Sequence, residues 1–107
     1  MIDIRIEKRG DSYRRLTLDG HAGFADYGSD IVCAAVSMLV INTINSIERF
    51  TDDGMQLDSN EEKGYIDCSF PQGLSHDGNL LMDSAGFGLS AIADQYPDNV
   101  SIEFKED

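Results

Sequence analysis

Five short segments of this chain carry apolar residues at every second position, the pattern of β-strands with one face on a core and the other in water. They run through Ile2, Ile4 and Ile6; Leu16 and Leu18; Met55 and Leu57; Ile66, Cys68 and Phe70; and Val100, Ile102 and Phe104. Arg9-Gly10-Asp11-Ser12 separates the first two segments and Asn60-Glu61-Glu62-Lys63-Gly64 the middle two, so both pairs read as antiparallel hairpins. Period-two patterning gives way to apolar helical stretches from about Ile31 to Phe50 and from about Ser75 or Gly78 to Tyr96, where Pro97 enforces a stop. The order is ββαββαβ. Alternation in every strand predicts a mainly antiparallel sheet with one dry face, covered by the two helices in a two-layer α+β sandwich.

At 107 residues the chain has room for one domain, 1–107, with a core that needs neither disulfides nor a metal. The first helix is apolar nearly all round, with Val32, Val36, Leu39 and Ile47 on one side and Val40, Ile41 and Ile44 wrapping onto others. One sheet and one neighbouring helix are too little to cover such a surface, which points to a subunit interface. The uncharged run Ile31–Ile47 contains Ser37, Asn42, Asn45 and Ser46 and falls short of the ~20 apolar residues of a membrane span, so a buried helix is expected and no membrane.

Eight Lys and Arg against twenty Asp and Glu leave a formal charge of −12, which repels nucleic acid and favours basic partners. Cys33 and Cys68 show no paired spacing, and there is no secretory leader pattern. A reducing, cytoplasmic setting is the expectation.

The reactive residue types concentrate between Gly20 and Ser37. Ser29 or Asp30 is a good N-cap for the first helix, which would set Cys33 in its first turn among N–H groups with no intrahelical partner. The helix dipole and a nearby imidazolium both favour a thiolate there, and the free N–H groups could serve as an oxyanion hole. His21 can supply the imidazole if the Gly-containing loop folds back. Asp30 reads as a cap before an orienter of His21. Ser37 lies one turn beyond Cys33 on the same face, where it can bond in the site or back to its own helix. The loop Ala22–Ser29, hinged at Gly23 and Gly28, is a candidate lid in which Phe24 and Tyr27 offer apolar contact to a substrate.

A lone cysteine in an apolar helix is usually a small core hydrophobe, and Cys68, on one strand face with Ile66 and Phe70, keeps that reading. His76 falls in the polar run from Gln72 to Asn79 and reads as a solvated residue at a loop or helix start. A zinc site from His21, Cys33, Cys68 and His76 lacks any close ligand pair, so neither metal nor cofactor is expected.

The run Gly20-His21-Ala22, followed by Gly28-Ser29-Asp30-Ile31-Val32-Cys33-Ala34-Ala35-Val36-Ser37, closely resembles the ribosomal-processing cysteine protease family, Prp. The stretch Gly86-Phe87-Gly88-Leu89-Ser90-Ala91-Ile92-Ala93-Asp94-Gln95-Tyr96-Pro97 resembles that family's second helix and its ending. The resemblance implies a homodimeric α+β peptidase that removes a short N-terminal extension from a large-subunit ribosomal protein precursor. His21 and Cys33 fall on the family's catalytic dyad, and Asp30 and Ser37 match further motif positions. The rival from another class is a non-catalytic acidic binding module for ribosomal proteins during ribosome assembly, which would have no reason to keep Cys33 and His21 together.

Overall fold

The computed structural model describes residues 1–20, 27–60 and 62–107, with backbone alone for 27–30. Its elements follow the expected order: β1 (Ile2–Arg9), β2 (Ser12–Asp19), α1 (Tyr27–Phe50), β3 (Gln56–Asn60), β4 (Tyr65–Ser69), α2 (His76–Gln95) and β5 (Val100–Glu106). The strands form one sheet in the order β3-β4-β2-β1-β5. Its pairings are antiparallel except β1 with β5, which run parallel. The β1–β2 hairpin turns through Gly10 and Asp11, and Gly10 takes the left-handed φ of 59° that such a tight reversal requires.

The alternation places the core. Ile2, Ile4 and Ile6 of β1, Leu16 and Leu18 of β2, and Cys68 and Phe70 in and beyond β4 are buried on one face. The opposite face carries Asp3, Arg5, Glu7, Arg15, Thr17 and Asp67, with Arg5, Thr17 and Asp67 in one row across the strands. Both helices cover the dry face. From α1, Val32, Val36, Val40, Ile44 and Ile47 are buried at three- and four-residue spacing, and each full burial is worth about 2 kcal/mol. Thr43 shares that stripe, and its hydroxyl donates to the Leu39 carbonyl at 2.7 Å, so no polar group is stranded there. From α2 come Met82, Ala85, Gly86 and Leu89. Ser75 caps α2 by accepting from the Gly78 N–H, and its own N–H and hydroxyl donate to Asp53 at 3.0 and 2.8 Å.

Two details depart from the sequence reading. The first helix begins at Tyr27, so Ser29 and Asp30 are its third and fourth residues and neither is its N-cap. Tyr27, Ser29 and Asp30 all tolerate helical backbone, and an acidic residue in the opening turn complements the dipole, so the first turn forms earlier than the cap pattern suggests. Second, β3 has no buried residue: Leu57 is 54% exposed, and only Met55, just before the strand, packs on the core. As the sequence reading expected, the sheet and the second helix do not cover all of α1: it is buried along one stripe, which leaves Ile31, Met38, Ile41 and Phe50 exposed. This helix is long and apolar enough to cross a membrane, yet its valine stripe lies in the core shared with the sheet.

Candidate active site

The exposure of β3 and the position of α1 have one cause. Toward β3 the helix layer does not reach over the sheet, and a cleft of about 390 Å³ opens between α1 and the β3–β4 hairpin. Cys33, Ser37, Ile41, Ile44 and Asn45 form one wall, recurring at helical spacing along α1. Leu57, Ser59 and Asn60 of β3, with Gly64 and Tyr65, form the other. Ile2, Leu18 and Ile66 make an apolar floor, and Gly20 borders the end where β2 stops.

Cys33 is half-buried against the core and open to this cleft. It is the seventh residue of α1, so its N–H falls within the helical ladder. The sequence argument that set it among free first-turn N–H groups therefore fails, both for an oxyanion hole and for activation by the dipole, which fades beyond the first turn. Ser37 lies one turn further along the same wall.

His21 and Phe24 lie outside the described residues, as do the side chains of Tyr27 and Asp30. The expected lid is shorter than Ala22–Ser29, because Tyr27 to Ser29 belong to α1 and Gly28 is helical and cannot be its hinge; residues 22–26 lie outside the description. What is fixed is the approach to His21. Gly20 donates its N–H to the Gly64 carbonyl at 3.0 Å and holds φ at 105°, and the chain enters residue 21 from the cleft rim.

The other sulfur is of a different kind. Cys68 is fully buried on β4, its Sγ 3.9 Å from Met55 Sδ, and burial followed by the charge of Asp67 pushes its thiol up to about 11. His76 opens α2 with its ring exposed and 3.1 Å from the Asp77 carboxylate. Neither residue faces the cleft.

Sequence reasoning missed most of the cleft. Ile41 and Asn45 could have been found by continuing the helical repeat from Cys33, eight and twelve positions on. Leu57 carried the right period-two signal but was assigned to a covered face, and Ser59, a polar residue two positions on, was not singled out.

A family model described as "Cysteine protease Prp" matches residues 1–101. The chain belongs to the Prp cysteine protease family. A Prp from Bacillus subtilis is 32% identical over 89 residues, covering 79% of this chain and 80% of that protein. The Staphylococcus aureus Prp is 24% identical over 104 residues, 97% of each chain, and both relatives are named ribosomal processing cysteine proteases. A crystal structure from Streptococcus mutans superposes with a TM-score of 0.91 at 30% identity, covering 100% of this chain and 96% of that one. The Staphylococcus aureus Prp with a substrate peptide superposes at 0.89 and 23% identity, covering 98% and 100%, and so shares the two-layer ββαββαβ fold. Prp membership selects the cysteine peptidase over the non-catalytic binding module.

Proposed function

We propose that the chain is a cysteine endopeptidase that removes a short N-terminal extension from a large-subunit ribosomal protein precursor, with Cys33 as nucleophile and His21 as its base. The observation that carries the reading is a shared cleft: Cys33 opens onto it, and Gly20, the residue before His21, borders it. Relatives named for ribosomal processing, one of them crystallised with a substrate peptide, supply the substrate class.

In the reaction, the Cys33 thiol gives its proton to His21 and the thiolate attacks the scissile carbonyl carbon, forming a C–S bond. The tetrahedral oxyanion collapses as the C–N bond breaks, and His21 returns the proton to the leaving amine. A water, deprotonated by His21, then attacks the thioester, releasing the acid and regenerating the thiol. Asp30 and Ser37 are candidate supporting residues, and Phe24 and Tyr27 candidate contacts for the peptide. The apolar floor of Ile2, Leu18 and Ile66 suits an apolar extension, while the −12 charge suits a basic body.

The enzyme acts as a homodimer in the cytoplasm. Ile31, Met38 and Ile41 make an exposed apolar stripe on one side of α1, which a second copy can cover, and both cysteines are free thiols. Sedimentation at micromolar concentration tests the dimer, and a monomer there counts against it.

The catalytic assignment is tested by incubating the precursor with wild-type, Cys33→Ser, His21→Ala and Cys68→Ser proteins. Wild type and Cys68→Ser release the extension. Cys33→Ser loses about a thousandfold or more and His21→Ala about a hundredfold or more. Cleavage by Cys33→Ser at the wild-type rate overturns the mechanism.

A further inference from the structure

The backbone of β3 is turned to a purpose that the sheet itself does not use. Two bonds set the phase of the ladder on β4: Gly20 N–H to the Gly64 carbonyl at 3.0 Å, and Phe70 N–H to the Arg14 carbonyl at 2.8 Å. Successive residues of a strand direct their N–H and C=O groups to opposite sides, so Ile66 and Cys68 also turn toward β2, and Tyr65, Asp67 and Ser69 turn toward β3. Their partners there are Asn60, Asp58 and Gln56. By the same alternation, Leu57 and Ser59 direct both backbone groups away from the sheet. Among the described residues no strand pairs with this edge.

The side chains of those two residues line the cleft that holds Cys33. An open sheet always has two edges, and an unpaired edge alone says little. The opposite edge, β5, carries Glu103 and Lys105 and contributes nothing to the cleft. Among the described residues, the β3 edge alone offers backbone donors and acceptors with no strand partner on residues that also line the cleft of Cys33.

We propose that this edge is a strand-addition site, where one flank of the scissile peptide pairs as a sixth strand with the N–H and C=O groups of Leu57 and Ser59. The inference rests on the peptidase reading and adds how the peptide is held. Main-chain bonds supply affinity without regard to sequence, and side chains of alternate residues supply selection. Residues opposite Leu57 and Ser59 share their face and meet the apolar cleft. Intervening residues lie beside the row of Gln56, Asp58 and Asn60, with Asp67 opposite Asp58. The preferred occupant is therefore an extended peptide with apolar residues at one parity and polar or basic residues at the other.

The test uses the wild-type enzyme and a set of precursor peptides, each N-methylated at one backbone amide. Strand addition predicts that methylation at every second residue of one flank lowers kcat/KM by about tenfold, with losses under about threefold in between. A uniform or smoothly varying loss overturns it. Independently, amide exchange is followed in Cys33→Ser with the unmethylated peptide. The Leu57 and Ser59 amides slow by about tenfold or more, while those of Gln56 and Asp58, already bonded to β4, do not change. If wild type leaves the unmethylated peptide uncut but these two amides are slowed, strand addition stands and the peptidase reading falls for that substrate. Unslowed amides overturn strand addition whatever the cleavage result.

Discussion

Gly20 is bonded to Gly64 across the β2–β4 ladder, which ties the last residue before His21 to the hairpin that forms the far wall of the cleft. Its φ of 105° is a conformation that side chains rarely adopt, and a Cβ there would overlap the Met1 carbonyl oxygen. Gly20→Ala is therefore expected to cost about 2 kcal/mol or more. Thermal unfolding should show Tm falling by about 10 °C. At a temperature where the variant is fully folded, kcat/KM should still be reduced, because the entry to residue 21 has moved.

Asp67 sits on β4 between two donors. Arg15 reaches it with Nε at 2.8 Å and Nη2 at 2.5 Å, and the Tyr65 hydroxyl donates at 3.1 Å. The Arg15 hydrogen bonds come first in holding its carboxyl below the usual range; burial opposes them, and the Tyr65 bond and the Arg15 charge add to them. A carboxyl with a lowered folded pKa adds stability that is present above the unfolded value, 3.8, and lost as pH falls through the folded one. Asp67→Asn should flatten that acid limb in unfolding titrations. At neutral pH it should cost only about 1 kcal/mol, since Arg15 is 46% exposed and water screens the pair.

The two cysteines should separate on alkylation. With Cys68 fully buried, native protein at pH 8 is labelled at Cys33, and Cys68 reacts only as fast as the chain opens. Equal labelling of both in the folded protein would contradict the burial of β4. The raised thiol also has a stability consequence of fixed sign. Its contribution is fully present below the unfolded value of 9.0 and is lost as pH rises toward about 11, and Cys68→Ala should remove that alkaline slope.

Ser75→Ala removes the cap of α2 and both hydrogen bonds that its hydroxyl makes, one from Gly78 and one to Asp53. Denaturant unfolding should show a loss of about 1 kcal/mol with an unchanged m-value. The Cys33 wall lies on the other helix, so kcat/KM of the folded variant should be unaffected.

Element order, helix number and the covered face were legible because each rests on a local period that Ile2, Ile4 and Ile6 or Val32, Val36 and Val40 display directly, whereas the order of the strands in the sheet rests on pairings between distant segments and was not. The start of α1 was not, because Ser29 and Asp30 suit a cap and a first turn equally well, and their choice depends on neighbours distant in sequence. Leu57 shows a second limit. Alternation identifies which side of a strand faces the helices but not whether a helix reaches that far, and here the shortfall is what makes the cleft. Cys33 was found from its motif, whereas its position in the helical ladder needed coordinates.

The parallel pairing of β1 with β5 matches Ile2 to Val100 and Ile6 to Phe104, nearly the whole length of the chain. β1 is synthesised well before β5, so one of its two edges stays unpaired until β5 has followed. Such long-range closure slows folding and leaves an unpaired strand exposed to aggregation during synthesis. Removing the segment from Val100 onward would leave β1 as an edge and expose the side of α2 that packs on Phe104 at Gly86. Nascent chains stalled short of Val100 should therefore be protease-sensitive throughout, and resistance should arrive in one step once β5 has emerged.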